Sequence, residues 1–439
     1  MRTIEVPALA RVEGEGGLYI GMQDDRVVEV RLDIYEPPRF FEGFLVGRYF
    51  QEVPDITARI CGICPVAYQM SSIAALENAL GVEVDPQVYS LRRLMYCAEY
   101  IESHALHIYL LQAPDLLGQP SALDLAAIAP EVVKNALHMK KIGNEVLKAI
   151  GGRSVHPVNA CVGGWHRWPD VDAFRSLLPE LKWGLESALE TVRWSVTLPF
   201  PELEVEYELV ALHHDSEYGV MHGEIWSSGG TRIPVADYET RYIEEHVRRS
   251  NALHGHTVDG GAYLVGPLAR LNLNHAQLFP EAQRSLHENR IKLPILNPYK
   301  GLIARAVELV HFFEEAILLV GAFNPSGPAH ADFKLKACEG TGASEAPRGL
   351  LYHRYKIDEK GLVRFAKITP PTAQNLPRIE ADLFAMAPRL VKMDQETATL
   401  TAEHLVRAYD PCISCATHFL KLKIEEALPA RTDLHGKSD

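Results

Sequence analysis

The sequence predicts an α+β fold that is predominantly helical, with small β elements at its periphery. Three observations carry this. Apolar residues recur at three- and four-residue steps from about position 87, through Leu91, Leu94, Met95, Ala98, Ile101, Ala105, Ile108 and Leu111. Residues 130–150, 171–195, 301–321 and 376–390 read as helices as well. The β-leaning runs, by contrast, are short and few.

Taken in order, Thr3–Ala8, Gly17–Gln23 and Val27–Asp33 read as strands, with Asp24-Asp25 as the turn between the last two. Val12-Glu13-Gly14-Glu15-Gly16-Gly17 is glycine-rich, but it does not fit G-x-G-x-x-G and a strand follows it, which argues against a phosphate loop. No other dinucleotide fingerprint stands out, so any nicotinamide is expected on another chain. The stripe from Leu91 to Leu111 is expected to be core packing. Leu351–Ile357 and Leu362–Ile368 flank Asp358-Glu359-Lys360-Gly361 in the manner of a β-hairpin. No internal repeat, low-complexity segment or linker interrupts the chain.

A chain of 439 residues is long enough to hide a site far from water. Its 47% hydrophobic and 23% charged residues are those of an ordinary globular protein. The net charge of −13 argues against a nucleic-acid partner, which would want a basic face. It also weighs against an anionic membrane surface. No run of about 18 apolar residues is present, so no transmembrane segment is expected. Glu5 falls where a signal peptide would be apolar, and the expectation is a cytoplasmic protein.

Seven cysteines are too few and too odd in number for a disulfide framework. Four of them form two C-x-x-C pairs, Cys61/Cys64 and Cys412/Cys415, one near each end of the chain. Such a turn brings two thiolates to one metal, and a second pair completes a sulfur-rich set. Four thiolates select zinc, iron–sulfur, copper(I), or nickel with iron. On spacing alone structural zinc leads, although common zinc patterns place their pairs roughly 15–20 residues apart. Neither pair lies beside a βαβ pattern, as a thioredoxin-like dithiol would. Cys97, Cys161 and Cys338 read as small buried apolar residues.

The flanks of the pairs decide further. Arg59-Ile-Cys-Gly-Ile-Cys-Pro65 and Asp410-Pro-Cys-Ile-Ser-Cys-Ala-Thr-His418 resemble the two signature motifs of nickel–iron hydrogenase large subunits. Other segments agree in the family's order: Arg11-Val-Glu-Gly14, Arg39-Phe-Phe-Glu42 with Gly47-Arg48, and His104-x-x-His107 with Pro114-Asp115. Gly152-Arg153, Gly266-Pro-Leu-Ala-Arg270 and Glu345-Ala-Pro-Arg348-Gly349 continue the series. The resemblance covers nearly the whole chain and implies the family's large-subunit fold, with a central helix bundle. A non-catalytic relative, the quinone-site subunit of respiratory complex I, has lost the paired cysteines that this chain keeps.

Carried over residue by residue, the resemblance makes Cys61 and Cys412 terminal nickel ligands, and Cys64 and Cys415 bridges between nickel and iron. It implies cyanide and carbon monoxide on the iron. H2 heterolysis needs a base, and the resemblance assigns this to Cys412 and then Glu13. Burial near the metals favours the neutral form of such a carboxyl, which suits a relay. Arg348 is implied above the metals, with Asp115 and Asp410 as its carboxylate partners, and Thr372 as the hydroxyl that hydrogen-bonds an iron cyanide. Glu42 and His418 are implied ligands of a magnesium ion, with a backbone carbonyl near Leu376 as a third. His104 and His107 share a helix face, and each alone reads as a satisfied core histidine.

One departure stands out. Many members carry histidine seven positions after the first cysteine; here that position is Tyr68. Tyrosine donates a hydrogen bond but does not become a cation near pH 7. The form Cys64-Pro-Val-Ala-Tyr-Gln69 with Glu36-Pro-Pro-Arg-Phe-Phe-Glu42 resembles the cytosolic NAD(P)-linked or sulfhydrogenase alpha-subunit branch. That branch implies an iron–sulfur small subunit and flavin-containing NAD(P) diaphorase subunits, with sulfur or polysulfide as the alternative acceptor. Iron–sulfur clusters and flavin are expected only on those partners. The family's maturation implies nickel chaperones and a protease that cuts near His418. The expected organisation is a hydrogenase domain over 1–418 and a maturation extension over 419–439.

Overall fold

The computed structural model describes residues 2–23 and 26–417. The Asp24-Asp25 turn, His418 and the extension expected over 419–439 lie outside the described residues.

The chain opens with β1 (Arg2–Val6), β2 (Gly16–Gln23) and β3 (Arg26–Ile34), an antiparallel sheet in that order. The apolar members Leu18, Ile20 and Met22 of β2 are buried, as are Leu32 and Ile34 of β3. The loop from β1 to β2 holds the glycine-rich segment, and the strand after it agrees with the sequence reading.

Helix α1 (Pro65–Leu80) follows directly on Cys64, with proline at its first position, where the missing N–H costs nothing. It ends at Gly81, in the left-handed region at φ 72°. Helix α2 (Pro86–Leu106) begins at Asp85, whose side chain accepts from Gln87 N. It is prolonged by a wide π turn over His107–Gln112. With α3 (Pro130–Gly151), α4 (Leu178–Ser195) and α5 (Gly301–Ala322) it forms the central bundle: α2 packs on α3 and α5, and α4 packs on α5 and α3. The helix expected over 171–195 is broken into Val171–Arg175 and α4. Leu91, Leu94, Met95, Ala98, Ile101, Ala105 and Ile108 are all buried in this core. Leu111, on the π turn, is not.

The expected hairpin is present as β5 (Gly349–Ile357) and β6 (Val363–Thr369), joined in one sheet by a preceding strand, β4 (Cys338–Ala346). Ala346 pairs with Gly349, so Pro347 and Arg348 alone make the turn from β4 to β5. Helix α6 (Pro371–Leu390) begins earlier than position 376 and packs against β3. Helix α7 (Gln395–Ala408) leads to the second cysteine pair. No helix among the described residues is long and apolar enough to cross a membrane.

Candidate metal centre

Five chain segments meet at one buried point. Cys61 and Cys64 lie on the turn before α1. Glu99 of α2 fixes that turn: its carboxylate accepts from Val66 N (2.6 Å) and Ala67 N (3.1 Å), satisfying two of the helix's first amides. Cys412 and Cys415 follow α7. The loop between β1 and β2 runs beside them, with Ile413 N donating to Glu13 O at 2.9 Å. Gly14 permits this approach: at φ 88°, a Cβ there would stand 2.7 Å from Ile413 Cβ. Arg39 joins the two cysteine loops. Its guanidinium donates to Ile60 O (2.6 Å) and Arg59 O (3.2 Å), and its backbone N donates to Thr417 O (2.6 Å).

The four sulfurs all lie within 4.8 Å of one another, and the cysteines are 1 to 3 % exposed. Cys61 Sγ is 3.7 Å from Cys412 Sγ, and Cys64 Sγ is 3.9 Å from Cys415 Sγ. Sulfurs that share one metal at about 2.3 Å stand at most about 4.6 Å apart. These two spacings fit that limit, and none of the four cysteines is in a disulfide. The donor set is therefore that of a soft or borderline metal. As thiols the four share charge unevenly. Burial pushes up Cys64, Cys412 and Cys415, with the neighbouring thiols adding to this at Cys412. Burial opposes ionisation of Cys61 too, but hydrogen bonds from Cys412, Cys415 and Cys64, with Arg348 nearby, hold it well below the usual thiol value.

Glu13 touches this cluster. Cys412 Sγ donates to Glu13 Oε2 at 3.1 Å, and Ser414 N donates to the same oxygen at 3.1 Å. Thr372, in the first turn of α6, accepts from Cys412 N at 3.0 Å through Oγ1, which leaves its own O–H as a donor. Arg348 reaches in from the β4–β5 turn. Its Nη2 donates to Asp410 Oδ1 and its Nε to Asp410 O, both at 2.8 Å. Its Nη1 is buried without a hydrogen-bond partner among the described residues. Burial works to raise the Asp410 carboxyl, but Arg348, His107 and Arg305 outweigh it and hold it low.

Two expectations are corrected. Asp115 does not pair with Arg348. Its carboxylate is taken by Arg407 (Nε–Oδ2 2.7 Å), by Arg11, and by His404 at 3.3 Å, so its oxygens are committed to other cations. Leu376 lies inside α6, where backbone carbonyls serve the helix itself. The backbone group that meets Glu42 belongs to Ile368, whose N donates to Glu42 Oε1 at 2.8 Å. Of the three remaining cysteines only Cys97 is fully buried; Cys161 and Cys338 are intermediate.

His104 and His107 are core histidines. His104 Nε2 is 2.7 Å from Glu308 Oε2, and His107 Nε2 is 2.9 Å from Arg407 O. Burial lowers them to about 4 and about 3, so both are neutral at pH 7. Glu308 also receives Arg270 and Tyr218, and Arg270 goes on to Glu345. Sequence reasoning gave no role to Glu99, Arg39, Arg407 or Arg270, although Arg39 and Arg270 stand inside the quoted motifs. A cleft of about 1030 Å³ is lined by Glu77, Tyr89, Arg92 and His222 among others, and by none of the four cysteines.

The sequence profile described as nickel-dependent hydrogenase matches residues 39–150 and 259–418. The chain is 35% identical over 428 residues to the Sulfhydrogenase 1 alpha subunit of Pyrococcus furiosus, covering 95% of this chain and 98% of that one. It is likewise 35% identical to the Sulfhydrogenase 2 alpha subunit of the same organism, over 95% of this chain and all of that one (100%). Among solved structures, an NAD+-reducing [NiFe]-hydrogenase in the H2-reduced state superposes with a TM-score of 0.85 at 27% identity, over 95% of this chain and 100% of that one.

Proposed function

The chain belongs to the nickel-dependent hydrogenase family as a catalytic large subunit, and from that premise we propose how its own residues serve the reaction. A nickel–iron pair bound in such a site supplies the heterolysis of H2. Cys61, Cys64, Cys412 and Cys415 would hold the two metals through their sulfurs. The proton released at Cys412 Sγ passes to Glu13 Oε2, 3.1 Å away. Arg348, charged and held by Asp410, fixes the electrostatics of the pocket and keeps Nη1 free of protein partners among the described residues. Asp115 acts one layer out by fixing Arg407. Thr372, whose Oγ1 accepts from Cys412 N, would offer its O–H to a cyanide on the iron. Glu42, next to the Ile368 backbone, and His418 would hold a magnesium ion.

The observation that carries this reading is the convergence of four buried sulfurs from both ends of the chain beside a carboxylate. Metal analysis and an infrared spectrum of the purified enzyme test it. Nickel with iron, and cyanide and carbonyl bands, are expected; zinc alone with no such bands would overturn it.

Electrons leave through an iron–sulfur small subunit. Seven cysteines are too few for these ligands and a chain of clusters as well, since each cubane takes about four. We assign NAD(P) as the final acceptor, reached through flavin-containing diaphorase subunits in the cytoplasm. The superposition on an NAD+-reducing [NiFe]-hydrogenase supports this. Sulfur or polysulfide is the second reading, favoured by the sulfhydrogenase relatives. Acceptor assays on the intact complex separate the two. Residues 1–418 form the hydrogenase domain, and 419–439 is a maturation extension removed by a protease once nickel chaperones have delivered the metal.

A further inference from the structure

Arg305 of α5 is 1% exposed, and no carboxylate pairs with it among the described residues. Its one hydrogen bond there runs from Nη1 to Ala408 O, at a long 3.4 Å, and its Nε has no partner. A buried charge left unpaired is destabilising, so the fold has to answer it. The carboxylates nearby do not. Glu308 is committed to Arg270 (2.7 and 2.9 Å) and His104, and Asp410 to Arg348 (2.8 Å). Burial lowers Arg305 to about 10, against the pull of Asp410 and Glu308, and the group stays charged at pH 7. Burial raises the third carboxyl of this region, Glu345, to about 7, so it ionises only in part at that pH. Three guanidiniums, Arg270, Arg305 and Arg348, therefore outweigh the negative charge around them.

A cavity of about 20 Å³ adjoins this cation, and Arg305 is the one charged residue in its lining. The other walls include Leu264, Val265, Pro267 and Pro298, all buried. The carbonyls of Leu264 and Val265 already accept from Val210 N and Asn375 Nδ2. Gly301 keeps the space open, since a Cβ there would stand 3.2 Å from Arg305 Nη1. Two helices begin at the cavity wall, α5 at Gly301 and the helix Pro267–Asn274 at Pro267. The partial positive charge at a helix N-terminus favours an anion. We propose that the cavity binds one monatomic anion, a halide such as chloride, against the Arg305 guanidinium. The space is that of one water-sized occupant, so a tetrahedral oxyanion is excluded. The same guanidinium holds Ala408 O, the last carbonyl of α7, so the ion steadies the end of the helix that leads to Asp410 and Cys412.

The test is long-wavelength anomalous diffraction from crystals of the purified holoenzyme grown in sodium chloride, because chloride scatters anomalously there and water does not. A peak is expected beside Arg305, and its loss is expected in crystals grown in sodium gluconate. Melting of the same enzyme at constant ionic strength, with chloride replacing gluconate, gives the second readout. Above half-saturation, each tenfold rise in chloride should shift the folding equilibrium about tenfold toward the native state. Sulfate in place of chloride should give no such rise, and Arg305→Gln should remove the chloride dependence. A water refined at this place with no anomalous signal overturns the proposal. So does a chloride dependence equal in the native enzyme and Arg305→Gln. Should Arg305→Gln fail to fold, the anomalous map of the native enzyme decides alone.

Discussion

Glu13→Gln separates proton transfer from architecture. The glutamine amide keeps the shape and retains one oxygen for the 3.1 Å bond from Ser414 N. Glu13 O still accepts from Ile413 N, since that bond is backbone to backbone. The stability cost is therefore that of one altered hydrogen bond, about 1 kcal/mol. What the amide loses is the ability to take a proton from Cys412 Sγ at 3.1 Å. A positioned acid or base is worth roughly 10²- to 10⁴-fold, so H/D exchange and H2 uptake should fall by that factor. Glu13→Asp should fall comparably for a geometric reason: a shorter side chain withdraws the carboxylate by about 1.5 Å, beyond hydrogen-bond reach of the sulfur. The assay is H/D exchange by mass spectrometry on holoenzyme whose nickel and iron contents match the native protein. Exchange at full rate in Glu13→Gln would remove this residue from the mechanism.

Cys412→Ser should leave the fold largely intact, since the residue is a small buried group, while abolishing H2 turnover; measurable turnover with native metal content would contradict its place as a ligand. Asp410→Asn leaves the buried Arg348 cation without its counter-charge, which costs about 3–5 kcal/mol, read as a lowered midpoint in denaturant. The contribution of Glu345 to stability should also fall as pH rises from 4.5 to about 7. Burial raises Glu345 to about 7, against the opposing pull of Arg270. A carboxyl raised in the folded state favours folding below its unfolded value and loses that contribution as pH rises through the folded one, here by about 3 kcal/mol. Denaturant melts across that window check the sign: native protein should lose stability relative to Glu345→Gln as pH rises. Intact mass spectrometry of active enzyme should show a polypeptide ending at or shortly after His418; a fully active preparation still reaching Asp439 would refute the extension.

Local patterning made the strands and the bundle legible. Short β-leaning runs marked β2 and β3, and a glycine-ended turn marked the hairpin. Two elements next to the cysteines escaped for physical reasons. Helix α1 is buried nearly all round, so it carries no amphipathic period to detect. Strand β4 has the composition of a loop, Cys-Glu-Gly-Thr-Gly-Ala-Ser-Glu-Ala. Its glycines are there because the strand presses its backbone onto α1. A Cβ on Gly340 would stand 2.5 Å from Ala75 O, and one on Gly342 would stand 2.5 Å from Ala75 N.

The same contrast runs through the site. A ligand must be a particular element at a particular spacing, so the cysteines were legible from residue type alone. The groups that hold them are under no such rule. Arg39 could bridge the cysteine loops from any position that brings a guanidinium to carbonyls on both. Asp115 could neutralise whichever cation the fold delivered, and it delivered Arg407 rather than Arg348. Pairing between distant charges depends on tertiary approach, which no local pattern encodes. The supporting layer is thus where a sequence reading of this chain errs first.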